Sequence, residues 1–218
     1  MEKRKSLWVW SAFLFLVFSV GCAVAPVRDE IKVDLRVPVG KIEGNQFNGM
    51  RFPFKVSAPP NWQISTEYPK FMLKLGFEKE GLEESEVFLF NPDTQSNLQI
   101  DFTPAGRYSK FDQETIDWAT TIAGTSFKSE FEKDYGVKIP FKISPTETYS
   151  LKGVPFAARR YTTYTIKGVN REHGWIYAFA EPYQIFIIYM RMEKEGVDDR
   201  SAIKAILDSF EYIPQGSK

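Results

Sequence analysis

The spacing of apolar and polar residues changes along the chain and predicts where strands and helices lie. Phe52, Phe54 and Val56 alternate with polar residues, which is typical of a strand with one buried face. Pro59 and Pro60 then turn the chain. The same reasoning, with turn residues as boundaries, predicts further strands at 87–90, 98–102, 141–151, 154–166, 175–181 and 183–192.

A helical period predicts one long helix over residues 111–135. Ser109 and Asp112 have the spacing of a capping box at its start, and Gly136 supplies a stop at its end. The apolar side chains fall on one face, which indicates a helix lying on a sheet: Ile116, Ala119, Ala123, Phe127 and Phe131. The glutamate-rich run 78–86 is typical of a solvated loop.

The strand at 183–192 is apolar on both faces, so both of its faces must be covered. A second amphipathic helix follows, capped by Asp198 or Asp199, with Ile203 and Leu207 facing inward. The pattern predicts an α+β fold in which an antiparallel sheet of about six to seven strands is flanked by helices on both faces.

The first 21 residues have the pattern of a secretory signal. Basic residues at positions 3–5 precede an uncharged stretch over 7–21. The sequence Ser19-Val20-Gly21-Cys22 resembles the lipobox of bacterial lipoproteins, although serine replaces the commoner leucine. The resemblance implies cleavage between Gly21 and Cys22 and acyl chains, palmitate among them, on Cys22. Two or more acyl chains hold a protein stably on a membrane.

Two other interpretations of this segment stay open. Residues 7–27 are uncharged and long enough to span a bilayer as an uncleaved anchor, although Gly21 and Pro26 weaken that helix. Cys22 would otherwise be an ordinary thiol. Both membrane interpretations place the domain outside the cytoplasm, because the basic residues stay inside.

The segment at 22–45 mixes prolines, charges and single valines, and it predicts a lipidated tether before a globular domain at 46–214. Part of it, 31–37, could add an edge strand. Ala23 follows the cysteine where an aspartate would resemble an inner-membrane retention signal. We therefore expect a lipid-anchored envelope protein on the periplasmic face of the outer membrane.

Composition excludes several classes of function. The formal net charge is zero, without the basic excess of a nucleic-acid-binding protein. Cys22 is the only cysteine, so a disulfide and a thiolate metal site are excluded. Asn91, Asp93, Gln95 and Asn97 alternate as in a calcium loop, but Ser96 stands where that loop needs glycine. We predict no metal site and no cofactor.

Few residues suggest chemistry. His173 is the only histidine, and its place beside a predicted hairpin turn indicates a surface residue rather than a catalytic base. Arg159 and Arg160 are neighbours in a strand, so their side chains point to opposite faces. With Tyr161 and Trp175 they form a candidate surface for a small anionic ligand, and a structural ion pair is the alternative.

Several segments resemble the PsbP-like fold. These are the opening FPFKVSAPPNW at 52–62, the Gly-Val-Pro-Phe-Ala strand at 153–157 and the closing Asp-Ser-Phe at 208–210. The resemblance covers about 46–213 and extends to DcrB-like bacterial lipoproteins. It implies an αβα sandwich used for binding and assembly rather than catalysis. No ion ligands of the plant photosystem members match residues of this chain.

The leading hypothesis is therefore a noncatalytic envelope lipoprotein that binds an unknown envelope protein or supports an assembly. The alternative is a carrier of lipid or another apolar ligand, which would require Trp175, Tyr177 and Tyr183 to line a cavity. A hydrolase built on His173 comes third.

Overall fold

The computed structural model describes residues 31–77, 79–106, 109–135, 140–194 and 196–214. The predicted signal sequence, Gly21, Cys22 and Gly136 lie outside these ranges. The described strands are β1 (Gly40–Glu43), β2 (Gln46–Gly49), β3 (Phe54–Ser57), β4 (Gln63–Ser65), β5 (Val87–Phe90), β6 (Asn97–Pro104), β7 (Lys142–Ile143), β8 (Glu147–Thr148), β9 (Phe156–Ile166), β10 (Val169–Ala180), β11 (Tyr183–Lys194), β12 (Val197–Asp198) and β13 (Glu211–Tyr212). The helices are α1 (Phe71–Lys74), α2 (Lys79–Glu83), α3 (Gln113–Tyr135) and α4 (Arg200–Ser209).

Nine of the strands form one large antiparallel sheet. Its order is β4-β5-β6-β11-β10-β9-β7, with β8 also paired to β9 and β12 to β11. The three long strands β9, β10 and β11 form a continuous meander at its centre. The other four strands form a small sheet in the order β1-β2-β3-β13.

One face of the large sheet, called the α4 face below, is covered by helix α4 and the small sheet. Ile203 and Ile206 of α4 pack with Phe54 of the small sheet and Ile187 of the large sheet in the main apolar core. Rings of this core lie in contact, as between Phe54 and Phe102, whose centroids are 4.7 Å apart. This core holds the two sheets and α4 together, because burial of apolar surface is the main favourable contribution to folding.

The α3 face, on the other side of the large sheet, is covered by α1, α2 and α3. Ile116 of α3 packs on Ala158 and Phe179. Met72 of α1 and Leu82 of α2 pack on Phe88 of β5. The α+β fold with an antiparallel sheet agrees with the prediction. The flanking and the strand count differ: a second sheet of four strands shares one face with α4, and the large sheet has nine strands rather than six or seven.

Helix α3 begins differently from the prediction. The Oδ1 atom of Asp112 accepts a hydrogen bond from the backbone N–H of Thr115 at 2.9 Å, so Asp112 rather than Ser109 caps the helix. That contact and the Lys110 ammonium group lower the pKa of Asp112 to about 2, with the Lys110 hydrogen bond as the largest cause. Phe127 and Phe131, which the sequence predicted on the apolar face, belong to the part of α3 whose side chains the structure does not describe.

The N-terminal boundary of the globular domain lies within the segment predicted as a tether, 22–45. Strand β1 pairs with β2 and belongs to the small sheet, although its residues precede position 46. Segment 31–37 does not form a strand. Instead, Nη2 of Arg51 donates to the carbonyl oxygens of Leu35 at 3.3 Å and Val37 at 3.1 Å, which ties this segment to the domain.

The glutamate-rich run 78–86 is only partly a solvated loop. Residues from Lys79 to Glu83 form α2, and Leu82 is buried against the sheet. Glu86 is buried 3.5 Å from the guanidinium of Arg51. No described helix is both long and apolar enough to cross a bilayer.

Candidate functional site

A cavity of about 500 Å³ lies on the α4 face, between helix α4 and one end of strands β9, β10 and β11. Its volume is within the range of small-molecule sites in proteins. Polar side chains from the strands face Ile203 and Leu207 of α4 across it. The cavity therefore combines charged and apolar surface in one space that is partly open to solvent.

A glycine in the sheet register makes room for this arrangement. Gly174 of β10 pairs with Tyr189 of β11 on one side and with Tyr161 of β9 on the other. A Cβ atom at Gly174 would overlap with the ring of Tyr189. The tyrosine ring therefore lies across the space that a side chain at position 174 would occupy.

The guanidinium of Arg159 is surrounded by tyrosines at the wall of the cavity. Its carbon lies 5.6, 5.1 and 5.4 Å from the ring centroids of Tyr149, Tyr161 and Tyr189. Cations at such distances are attracted to the faces of aromatic rings. Tyr161 and Arg159, which the sequence placed in a candidate ligand surface, thus lie together at this cavity.

The hydroxyl of Tyr189 joins Arg159 to Glu172. It accepts hydrogen bonds from Nη2 of Arg159 at 2.6 Å and Nε at 3.1 Å, and it donates to Oε1 of Glu172 at 2.9 Å. Burial raises the pKa of Tyr189, so its hydroxyl stays protonated. Burial opposes the charge on Arg159, but the contacts with Tyr189 and Glu172 outweigh it and raise the pKa of the guanidinium.

Arg191 and Arg200 lie at the other side of Glu172. The Oδ1 atom of Asp198 accepts from Nη1 of Arg191 at 2.8 Å and from the backbone N–H of Arg200 at 3.0 Å. Burial would raise the pKa of Asp198, but these hydrogen bonds and both positive charges lower it. Asp198 therefore binds the side chain of Arg191 and the backbone of Arg200, and both arginines line the cavity.

Arg160 and Trp175, the other two residues of the candidate ligand surface, lie on the opposite face. Nε of Arg160 donates to the carbonyl of Ser144 at 3.0 Å and Nη1 to that of Thr121 at 2.8 Å. Nε1 of Trp175 donates to the carbonyl of Thr120 at 2.8 Å. Both side chains hold α3 on the sheet, so the four candidate residues do not form one surface.

His173 is buried rather than exposed, so its prediction as a surface residue was wrong. It lies on the α3 face between Thr162 and Met190, four residues along β10 from its start at Val169. Its ring stacks on Phe77 with centroids 5.8 Å apart. Burial lowers the pKa of His173 to about 3, so the imidazole is neutral at physiological pH.

Two further groups of predicted residues have structural contacts. In the turn that resembles a calcium loop, Asn91 and Thr94 donate hydrogen bonds to the buried carboxylate of Asp199. The described residues include no group of three or more metal-binding side chains.

Trp175 and Tyr177 lie on the α3 face whereas Tyr183 lies in the main core on the α4 face, so these three residues do not line one cavity.

Sequence reasoning missed Glu172, Arg191 and Arg200 as cavity residues. Arg191 carried a weak signal, because it interrupts the apolar face of β11 that contains Ile187 and Tyr189. Only the register shows that Glu172 lies directly opposite Arg191. Arg200 begins α4 only nine residues after Arg191, but no periodic pattern relates a residue of this helix to the strands.

Comparisons with known proteins give the fold. No protein-family model matches the sequence, and a comparison with curated proteins finds no match. The solution structure of cyanobacterial PsbP (CyanoP) from Synechocystis sp. PCC 6803 superposes with a TM-score of 0.52 at 11% identity, over 81% of this chain and 99% of that one.

Two other solved structures are more distant. A protein from Bacteroides thetaiotaomicron VPI-5482 has a TM-score of 0.48 at 12% identity, over 81% of this chain and 51% of that one. LpqN, involved in cell envelope biogenesis of Mycobacterium tuberculosis, has a TM-score of 0.42 at 11% identity, over 74% and 84%. The superposition on the cyanobacterial protein confirms the fold implied by the resemblance drawn from the sequence: the chain has a PsbP-like fold.

Proposed function

We propose that this chain is an envelope lipoprotein, anchored through acyl chains on Cys22, whose PsbP-like domain binds another envelope protein and catalyses no reaction. The lipobox-like sequence before Cys22 supports the anchor. The buried, neutral His173 on the face opposite the cavity argues against a histidine-based hydrolase. The separation of Trp175 and Tyr177 from Tyr183 argues against an apolar carrier that uses these residues.

An exposed apolar pair on α3 carries the protein-binding part of the proposal. Ile116, Thr120 and Gly124 face the sheet, whereas Trp118 and Ile122 are 66% and 46% exposed. Each residue turns about 100° around a helix axis, so a position two residues from a buried one faces away from the sheet. Tryptophan is enriched among residues that dominate binding at protein interfaces.

Substitution of Cys22 by serine is expected to remove the anchor. The parent protein should sediment with membranes at the mass of a cleaved, acylated chain, and Cys22→Ser should lose the acyl mass and its cleavage. Ala25→Ser, which leaves the lipobox-like residues intact, is the control. Mass spectrometry of the membrane fraction measures both changes. A parent protein with the mass of the bare 218-residue chain would contradict the anchor.

Crosslinking in cells tests the partner. A photo-crosslinking residue in place of Trp118 should give a discrete protein adduct, whereas the same residue in place of Val197, which is 48% exposed on β12, should not. Ile122→Glu should weaken the adduct at position 118 because it puts a charge in the apolar contact. Mass spectrometry of the adduct distinguishes protein from lipid. Adducts with lipid alone, or equal adducts at both positions, would contradict protein binding by this surface.

A further inference from the structure

The cavity on the α4 face contains arginine donors that the described residues leave unused. Arg191 lines the cavity and is only 5% exposed. Its Nε has no hydrogen-bond partner among the described residues, because Oε2 of Glu172 lies 3.6 Å away, beyond hydrogen-bond distance. A buried polar group without a hydrogen bond costs about 1–3 kcal/mol, so this donor favours a ligand that supplies an acceptor.

Arg200 adds a second source of donors beside the first. Its backbone N–H shares Asp198 with Arg191, and its side chain lines the cavity. Its side chain is exposed, and its guanidinium makes no hydrogen bond within the described ranges. A planar guanidinium with free N–H groups is suited to the two oxygens of a carboxylate.

The other charged residues of the cavity limit how many negative charges the ligand can carry. Glu147, Glu172 and Asp208 also line it, and Asp198 contacts Arg191. The other two positive groups, Arg159 and Lys204, already lie beside Glu172 and Asp208. A ligand with two negative charges would meet repulsion from these carboxylates. A ligand with one negative charge matches the free donors and meets less of that repulsion.

The wall formed by α4 determines the rest of the ligand. Ile203 and Leu207 of this helix and Tyr149 of the loop after β8 form the apolar part of the lining, and Arg200 lies on the same helix as the first two. A group bound only by its charge would leave that surface in contact with water. An apolar body attached to the charged group would cover it.

We propose that this cavity binds a small organic acid with one carboxylate and an apolar body, the carboxylate lying on Arg191 and Arg200. The body lies against Ile203, Leu207 and the ring of Tyr149. This small-molecule site is separate from the protein-binding pair on α3, because the two lie on opposite faces of the large sheet. It therefore does not depend on the proposed protein partner.

Titration with 3-phenylpropionate tests the site. The full chain in detergent micelles is labelled with ¹⁵N, and the Nε–Hε signal of Arg191 is assigned by its loss in Arg191→Lys. The acid should move this signal saturably, with a Kd of about 1 mM or tighter. The neutral 3-phenylpropan-1-ol enters micelles equally well but lacks the carboxylate, and it should not move the signal.

Variants identify the residues. Arg200→Gln should weaken binding about tenfold, the effect of losing a hydrogen-bonded charge pair. Lys204, one turn along α4, also lines the cavity, but its ammonium already lies 2.6 Å from Asp208, so Lys204→Gln should change the Kd less than about twofold. Equal weakening by both variants would overturn the assignment, since a diffuse field would then explain it.

Two other results would also overturn the proposal. One is the absence of a saturable shift, or an equal shift with the alcohol. The other is tighter binding of phenyl phosphate, whose two negative charges would show that the carboxylates of the cavity do not select against a dianion.

Discussion

Alanine in place of Gly174 is expected to lower the free energy of unfolding by about 3 kcal/mol. The added methyl group overlaps with the ring of Tyr189, which is only 1% exposed and packed in the main core. Overpacking of this kind costs about 1–3 kcal/mol. The ring cannot move aside without loss of the hydrogen bonds to Arg159 and Glu172, each worth about 1.5–3 kcal/mol because it involves a charged group.

Urea denaturation followed by circular dichroism measures the change. Gly81→Ala is the matched control, because a Cβ at Gly81 in α2 meets no atom within 4 Å. Alanine is the better helix former by up to about 1 kcal/mol, so the control should be neutral or slightly more stable than the parent. A Gly174→Ala protein within about 0.5 kcal/mol of the parent would show that the sheet adjusts to the methyl group without loss of these contacts.

The elements with a clear period were predictable from the sequence. The alternation in β3 and β6 and the helical period of α4 depend on residues close in the chain, so a local pattern is enough to identify them. The two apolar faces of β11 also predicted correctly that layers cover both sides of the sheet. The small sheet was missed because β13 is only two residues long and pairs with β3, more than 150 residues earlier.

The candidate site was predictable only in part, for the same reason. Alternation along β9 separates Arg159 from Arg160, and the structure has them on opposite faces. Which of them lies at a cavity depends on the elements that cover each face. His173 was misplaced because the hairpin of β9 and β10 is longer than predicted, which moves the histidine from the turn into the sheet. Such contacts between distant segments leave no periodic signal.

The second large effect is a gain in stability on replacing Asp101 by asparagine. Burial in β6 raises the pKa of Asp101 to about 7, and the charges of Glu84 and Glu86 add to the shift, while Ser85 and Gln99 oppose it through hydrogen bonds. The folded chain therefore binds this proton more tightly than the unfolded chain, whose carboxyl group has the ordinary value of 3.8. Stability from this group is fully present below pH 4 and is lost as the pH rises through 7.

Asparagine has the same shape without the charge, so Asp101→Asn should avoid that loss. Three pKa units correspond to at most about 4 kcal/mol, and we expect a gain of about 2–4 kcal/mol at pH 8 with little change at pH 4. Urea denaturation at both pH values measures it, with Glu43→Gln, an exposed carboxylate of β1, as the control for general charge effects. A gain of equal size at pH 4 and pH 8 would mean that the amide stabilises the fold by its hydrogen bonds and that Asp101 does not titrate in this range.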